Sequence, residues 1–341
     1  IFLPAIEFLG VLATVIVLWF GGQAVTRNMV TLGTLVAFLS YVTRFFQPVQ
    51  ELSRMVTTLQ TAMAGGEQVL RLLDTTPGVQ DRPDAQDLEL AGAPRITFEA
   101  VDFRYRPGLP EVLHDLNLTI QPGQTVALVG ATGAGKSSIA NLIARFYEVE
   151  QGAVKIDGID VRDVTQTSLH RQIGLVPQDA FLFSDTLAGN IRFGRPGATD
   201  EEVERAARLA NAHEFISARL DGYKTHVQEG AANLSVGQRQ LVCIARAILT
   251  DPHILILDEA TSNVDSLTEA LIQDALRTLF KGRTSVVIAH RLSTIRGADL
   301  ICVVEDGTIV EQGTHAELLA RNGAYAALYQ RQFGATAKGE A

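Results

Sequence analysis

Thr125-Val-Ala-Leu-Val-Gly-Ala-Thr-Gly-Ala-Gly-Lys-Ser-Ser138 is the stretch on which the fold turns. It begins as an unbroken apolar, β-favouring run and ends by opening a segment with Ile139, Leu142, Ile143 and Phe146 at helical spacing. Between the two lies the pattern G-x-x-x-x-G-K-S, from Gly130 to Ser137. Gly130, Gly133 and Gly135 let the backbone turn its N–H groups inward around phosphate oxygens, with Ala131, Thr132 and Ala134 in the same loop. Lys136 supplies a positive point charge, Ser137 offers a hydroxyl to Mg²⁺, and Ser138 follows at the start of the helix. Strand, loop and helix together are the context that a phosphate-binding loop requires.

Outward from this unit, short β-rich runs alternate with helical segments: Ile96–Phe98, Ile173–Val176, Ile254–Leu257, Ser285–Ala289 and Leu300–Val304. Such alternation implies a mainly parallel sheet covered by helices on both faces. The run at 254–257 ends in Asp258-Glu259, at the carboxyl end of a buried strand, where open parallel sheets bind ligands. Asp258 is placed to hold Mg²⁺ and Glu259 to orient and deprotonate an attacking water. Alone, such a pair after a strand is more often an ordinary helix N-cap; the loop at 130–137 is what favours the chemistry.

Composition narrows the classes. Lys and Arg total 29 against 38 Asp and Glu, a net charge of −9, which opposes a nucleic-acid partner, since gripping a phosphate backbone takes clustered cations. Two cysteines, Cys243 and Cys302, make no disulfide framework. Hydrophobic residues reach 47% and concentrate at the N-terminus. Residues 1–22 read IFLPAIEFLGVLATVIVLWFGG, with Glu7 the only ionisable residue, which is the length and character of a membrane-crossing helix. After a polar turn at 23–28, the apolar stretch 29–46 is interrupted only by Arg44, so the pair reads as a membrane hairpin. A buried soluble helix pair would show a polar face earlier. A signal peptide would show a basic start and a cleavage site. Beyond Phe46, Val49, Leu52, Met55, Val56, Leu59 and Met63 recur at helical spacing among polar residues, so the second helix continues into water as a stalk. From Met29 to Asp74 a single helix would run on the order of 70 Å. Pro77-Gly78 ends it, and the polar, proline-containing stretch 80–94 reads as a linker.

Asn233-Leu-Ser-Val-Gly-Gln-Arg-Gln240 separates this chain from other nucleotide proteins. Here it resembles the ATP-binding cassette (ABC) family: Leu234-Ser-Val-Gly-Gln238 matches the signature motif at four of five positions, Leu234, Ser235, Gly237 and Gln238, with Val236 where Gly is commoner. Ser235 and Gly237 at a helix N-terminus make an anion site, and the resemblance implies that it faces the γ-phosphate bound by a second subunit. It also implies that Tyr105 stacks on adenine, that Gln178 senses Mg²⁺ and touches the membrane domain, and that Asp265 belongs to a dimer-contact loop. In that loop Asn263 and Val264 replace the commoner Ala and Leu. His290 resembles the switch histidine that reaches the γ-phosphate. Thr225, Val227 and Glu229 resemble an exporter-specific segment, from which Gln228 and Gly230 depart.

The resemblance implies an α/β P-loop NTPase of ABC type, with a mainly parallel sheet, a β-subdomain and a helical signature subdomain, preceded by two transmembrane helices and a cytoplasmic stalk. The expected divisions are 1–79 for the helices and stalk, 80–94 for the linker, 95–335 for the nucleotide-binding domain and 336–341 for a tail. Because Ile1 lies inside an apolar segment, the chain reads as the C-terminal part of a longer half-transporter. The expected function is an ATP- and Mg²⁺-dependent ATPase subunit of an exporter in a bacterial inner or plasma membrane, its nucleotide domain in the cytoplasm. Its partners would be a second half-transporter, membrane lipid and an unidentified transported substrate. A non-transport ABC ATPase of DNA repair or translation is the alternative, as is a regulatory cassette; the apolar hairpin and the charge balance oppose the first, and the joint presence of Lys136, Asp258, Glu259 and His290 opposes the second.

Overall fold

The computed structural model of the chain describes residues 2–258, 265–289 and 291–333. It divides into two compact units, residues 1–77 and 78–341.

The first unit is a helical hairpin. Helix α1 (Phe2–Thr26) is long and apolar enough from Pro4 to Thr26 to cross a membrane. Helix α2 (Leu32–Leu73) starts at an N-cap in which the Thr31 hydroxyl accepts from the Thr34 amide at 3.2 Å, and it runs through Pro48 without ending. The two pack at small residues: a Cβ at Gly10 would rest 3.5 Å from the Phe46 ring, and one at Gly21 would fall 2.4 Å from Leu35 Cδ1. Among the described residues only α1 meets the length and hydropathy of a span. Ser40, Tyr41, Thr43, Arg44 and Gln47 dilute the apolar part of α2, so of the two membrane helices expected from the sequence only α1 meets these criteria among the described residues.

The second unit holds two sheets. β1 (Ile96–Phe103), β2 (Leu113–Ile120), β4 (Gln151–Ile156) and β5 (Ile159–Asp160) form an antiparallel sheet in the order β2-β1-β4-β5. β3 (Thr125–Val129), β6 (Ile173–Val176), β7 (Ile254–Asp258), β8 (Thr284–Ile288), β9 (Leu300–Glu305) and β10 (Thr308–Gly313) form the other, in the order β10-β9-β3-β8-β7-β6. It is parallel from β9 to β6, with β10 antiparallel at one edge. The expectation that Ile96–Phe98 joins the parallel sheet is corrected: it pairs antiparallel with β2 and β4.

Strand periodicity explains the layering, because successive side chains point to opposite faces. Ala127, Val129, Leu255 and Leu257 belong to one core, and Val126, Leu128, Ile254 and Ile256 to the other. Against the second face pack α3 (Lys136–Ile143), through Ile139, Leu142 and Ile143, and the antiparallel sheet; α4 (Gln166–Arg171) contributes Leu169. Against the first lie α5 (Leu187–Arg192), α6 (Asp200–Leu209), α7 (His213–Ser217), α8 (Val236–Thr250), α9 (Ser266–Phe280), α10 (Leu292–Gly297), α11 (His315–Arg321) and α12 (Ala324–Phe333). β7 is apolar on both sides because it is sandwiched on both sides, so burying a charge at its interior would find no partner. Asp258 at its end escapes into the cleft described below.

The stretch 80–94 does not behave as a free linker. Leu88 is buried, its amide donates to Ser168 Oγ at 2.8 Å, and Gln86 bridges to Val164 in parallel. Asp81 accepts from the Gln166 amide at 3.0 Å and from Arg145 at 3.2 Å. Its polar residues, which suggested solvation, are used as anchors to the second unit.

Candidate functional site

The phosphate-loop cleft is built at the carboxyl ends of β3 and β7. A cavity of about 460 Å³ is lined by Tyr105, Val112, Thr132, Gly133, Gly135, Lys136, Ser137, Ser138, Gln178, Asp258 and Ile288. The sequence therefore placed Tyr105, the loop, Gln178 and Asp258 in one site, and missed Val112 and Ile288, apolar residues that no motif singles out.

The loop geometry follows from its glycines. Gly133 and Gly135 have φ of +86° and +106°, in the left-handed region, and a Cβ at Gly130 would lie 2.1 Å from the Val304 carbonyl oxygen. This conformation brings the chain into α3 with Gly135 at the N-cap position and no side chain capping the first turn. The first amides of α3 are thereby left to a ligand, and the helix dipole favours a negative one. Ala134 is buried under the loop, whereas Ala131 and Thr132 are exposed.

Lys136 is buried, and its ammonium donates to the carbonyl oxygens of Gly130 and Ala131. Burial pushes its pKa below the ordinary 10.5, and the negative charge of Asp258 pulls it back up. Ser137 is exposed to the cleft. Ser138 is buried, and its hydroxyl is 2.8 Å from the Tyr105 hydroxyl, so it holds the aromatic rather than facing outward. Tyr105 is also fixed by edge-on contacts with Phe103 and Tyr147, both with ring centroids 4.9 Å from its own. Tyr147 is a supporting residue that the motif reading overlooked.

Ser137, Gln178 and Asp258 line the same cleft, residues that offer oxygen donors with one carboxylate among them. Such a set suits Mg²⁺ held jointly with phosphate oxygens, and suits neither Zn²⁺ nor copper. Among the described residues no cluster of three or more His, Cys, Asp or Glu forms a metal cage of its own.

The stretch 234–238 folds as a second helix N-terminus. Ser235 is the N-cap of α8: its hydroxyl accepts from the Gln238 amide at 3.2 Å, and the Gln238 side chain accepts from the Ser235 amide at 3.3 Å. This reciprocal pair is a capping box. Leu234 and Gly237 are buried, Ser235 is exposed and Val236 is half-buried. None of the five lines the phosphate-loop cleft. Asp265 caps α9, accepting from the Thr268 amide at 3.0 Å, and that hydrogen bond holds its carboxyl below the usual range. Glu259 and His290 lie outside the described residues, as do Asn263 and Val264.

A family model described as ABC transporter matches residues 113–262, from β2 through the phosphate loop and the capped α8 to just beyond β7. The chain carries an ABC transporter ATP-binding domain. Its relatives extend the likeness over nearly the whole chain. It is 48% identical over 322 residues to a fatty acid ABC transporter ATP-binding/permease protein of Mycobacterium bovis, covering 94% of this chain and 50% of that protein. It is 44% identical over 337 residues to an ATP-dependent lipid A-core flippase of Syntrophus aciditrophicus, covering 99% of this chain and 56% of that one. Among solved structures, a bacterial Atm1-family ABC exporter with ATP bound matches with a TM-score of 0.74 and 40% identity, over 96% of this chain and 56% of that chain. The chain thus spans about half the length of the curated relatives it matches. The fold is that of an ABC NTPase preceded by N-terminal helices, and the ATP-binding domain accounts for the phosphate loop, the capped α8 and the six-stranded sheet between them.

Proposed function

We propose that this chain is the ATP-hydrolysing part of a membrane exporter, in which ATP binding and hydrolysis drive export or flipping of a lipid, drug-like or other hydrophobic substrate. The observation that carries this reading is the single cleft shared by Tyr105, the phosphate loop, Gln178 and Asp258, in a chain whose first unit is an apolar helical hairpin. The permease and flippase relatives support export over DNA repair or translation, and that alternative is not favoured.

In this reading Tyr105 receives the adenine, the amides of 130–138 hold the phosphates, and Lys136 faces the β- and γ-phosphates. Ser137, Gln178 and Asp258 hold Mg²⁺, which neutralises charge on the phosphate oxygens. Glu259 takes a proton from the attacking water, and His290 contacts the γ-phosphate. Residues 234–238 and Asp265 serve the site of a second half-transporter, identical or related, and α1 and α2 cross a bacterial inner or plasma membrane with the nucleotide domain in the cytoplasm. The divisions at 1–79, 80–94, 95–335 and 336–341 remain the proposed domain plan, with 80–94 joined to the nucleotide domain by its anchors.

The experiment is Glu259→Gln. The amide keeps the shape of the side chain and cannot accept the water's proton. ATP affinity should persist while turnover falls by two or more orders of magnitude; turnover within a few-fold of the parent protein would sink the assignment of the base.

A further inference from the structure

Arg145 stands where a helix exit ordinarily takes glycine. It follows the end of α3, its φ is +51°, and its amide donates to the Leu142 carbonyl at 3.1 Å. A residue with a side chain in this conformation is held there by its surroundings, and such outliers point to a task for the side chain. The Arg145 side chain is fully buried. One guanidinium nitrogen donates to the Val164 carbonyl at 2.7 Å and to Asp81 at 3.2 Å; the other donates to the Gln80 carbonyl at 2.9 Å and to Glu148 at 3.1 Å. A rigid, planar fork thus ties the exit of α3 to the strap at 78–88, the chain that resumes after the end of α2.

Two further observations join the strap to the nucleotide cleft. Gly78 and Val79 line, with Arg145, Tyr147 and Tyr105, a groove of about 740 Å³, and Tyr105 also lines the phosphate-loop cleft. The helix between the two ends is short and stiff: α3 begins at Lys136 and spans about 12 Å, so its two ends move together.

We propose that Arg145 is a positioning residue that carries nucleotide occupancy from the phosphate loop, through α3, to the strap at 78–88, which tightens when ATP is bound. The proposal rests on the ATP reading of the cleft and adds the route by which occupancy reaches the chain leading back to α2.

Hydrogen exchange of the purified protein with and without ATP tests it. The Gln86 amide donates to the Asp163 carbonyl and the Leu88 amide to Ser168, so both report opening of the strap. At ATP ten times its dissociation constant, both should exchange about tenfold more slowly than without nucleotide, the factor by which opening is suppressed when it requires ATP release. Arg145→Lys keeps the charge but cannot reach the Val164 and Gln80 carbonyls together. It should bind ATP as the parent does and still protect the amides of 130–138, while Gln86 and Leu88 cease to respond to ATP. A clamp that only stabilises the fold would speed exchange at both amides equally with and without ATP; a ratio preserved in this way overturns the proposal. So does a strap in the unsubstituted protein that ignores ATP while 130–138 responds. Failure of the unsubstituted protein to bind ATP strikes the nucleotide reading itself, and this proposal with it. If Arg145→Lys does not fold, Asp81→Asn loosens the same strap at a surface position, and loss or retention of the ATP-dependent ratio decides in the same way.

Discussion

The ammonium group of Lys136 donates to the Ala131 carbonyl oxygen at 2.7 Å. With its bond to Gly130 at 2.9 Å, it braces the loop from inside, so the lysine is already folded over the place where phosphates would sit. Two of its three protons are engaged and one remains for a ligand oxygen.

Lys136→Ala removes both the brace and the charge. A charge-assisted hydrogen bond contributes about 1.5–3 kcal/mol, so ATP affinity should fall roughly ten- to hundredfold. Titration with a fluorescent ATP analogue measures it. Affinity within a few-fold of the parent would mean that the loop amides alone carry the phosphates.

The glycines of the loop are not equivalent. Gly130→Ala would drive a Cβ into the Val304 carbonyl on β9, a backbone atom that cannot turn away, and overpacking of this kind costs about 1–3 kcal/mol. Gly133→Ala meets no atom within 4 Å, so only its left-handed φ is strained, at about 1 kcal/mol. Urea denaturation should show the larger loss of stability for Gly130→Ala. The reverse order would place the loop differently against β9.

Much of the parallel sheet was legible because its strands are sandwiched: Ile254-Leu-Ile-Leu257 is apolar on both faces and reads as a strand without ambiguity. The antiparallel sheet was harder to read. Leu113-His-Asp-Leu-Asn-Leu-Thr-Ile120 exposes one face, so His114, Asp115 and Asn117 break the run, and β2 emerges only from its pairing with β1. The strap at 80–94 shows a second limit, since composition registers that Asp81 and Asp87 are polar but not that they accept from Gln166 and Thr165. In the cleft, the loop and Asp258 were named from their motifs, and Tyr105 and Gln178 only from the family resemblance. Val112 and Ile288 contribute shape alone, which no pattern of residue types announces.

Tyr325 is buried and its hydroxyl lies 2.6 Å from His315 Nδ1; burial pushes its pKa from the ordinary 10.0 to about 12. The folded protein therefore keeps a proton that the unfolded chain releases. The corresponding stability is full below about pH 10 and is lost as pH rises toward about 12. Tyr325→Phe should be less stable at neutral pH, having left His315 without that partner, but should lose less with each step in pH above 10. Thermal melts across the alkaline range check this, and parallel curves for the two proteins would remove Tyr325 from the account.

Ser235 and Lys136 lie at two helix N-termini, yet Ser235 lines no part of the Lys136 cleft. If each catalytic site joins the phosphate loop of one chain to the stretch 234–238 of another, Ser235→Arg should bind ATP normally as a monomer while failing to dimerise and to turn over. The substitution also removes an N-cap, at about 1 kcal/mol, so retained ATP binding serves as the control for folding. Mixing Ser235→Arg with Lys136→Ala then separates the models. In a mixed dimer one site takes its loop from the Ser235→Arg chain and its α8 from the Lys136→Ala chain, and so carries neither lesion, while the other site carries both. Each mixed dimer holds one intact site, so partial turnover should return on mixing two inactive proteins. A site complete within one chain predicts no recovery at any ratio, as does strict coupling between the two sites, once crosslinking has shown mixed dimers to form; the binding and dimerisation of Ser235→Arg alone then choose between these two.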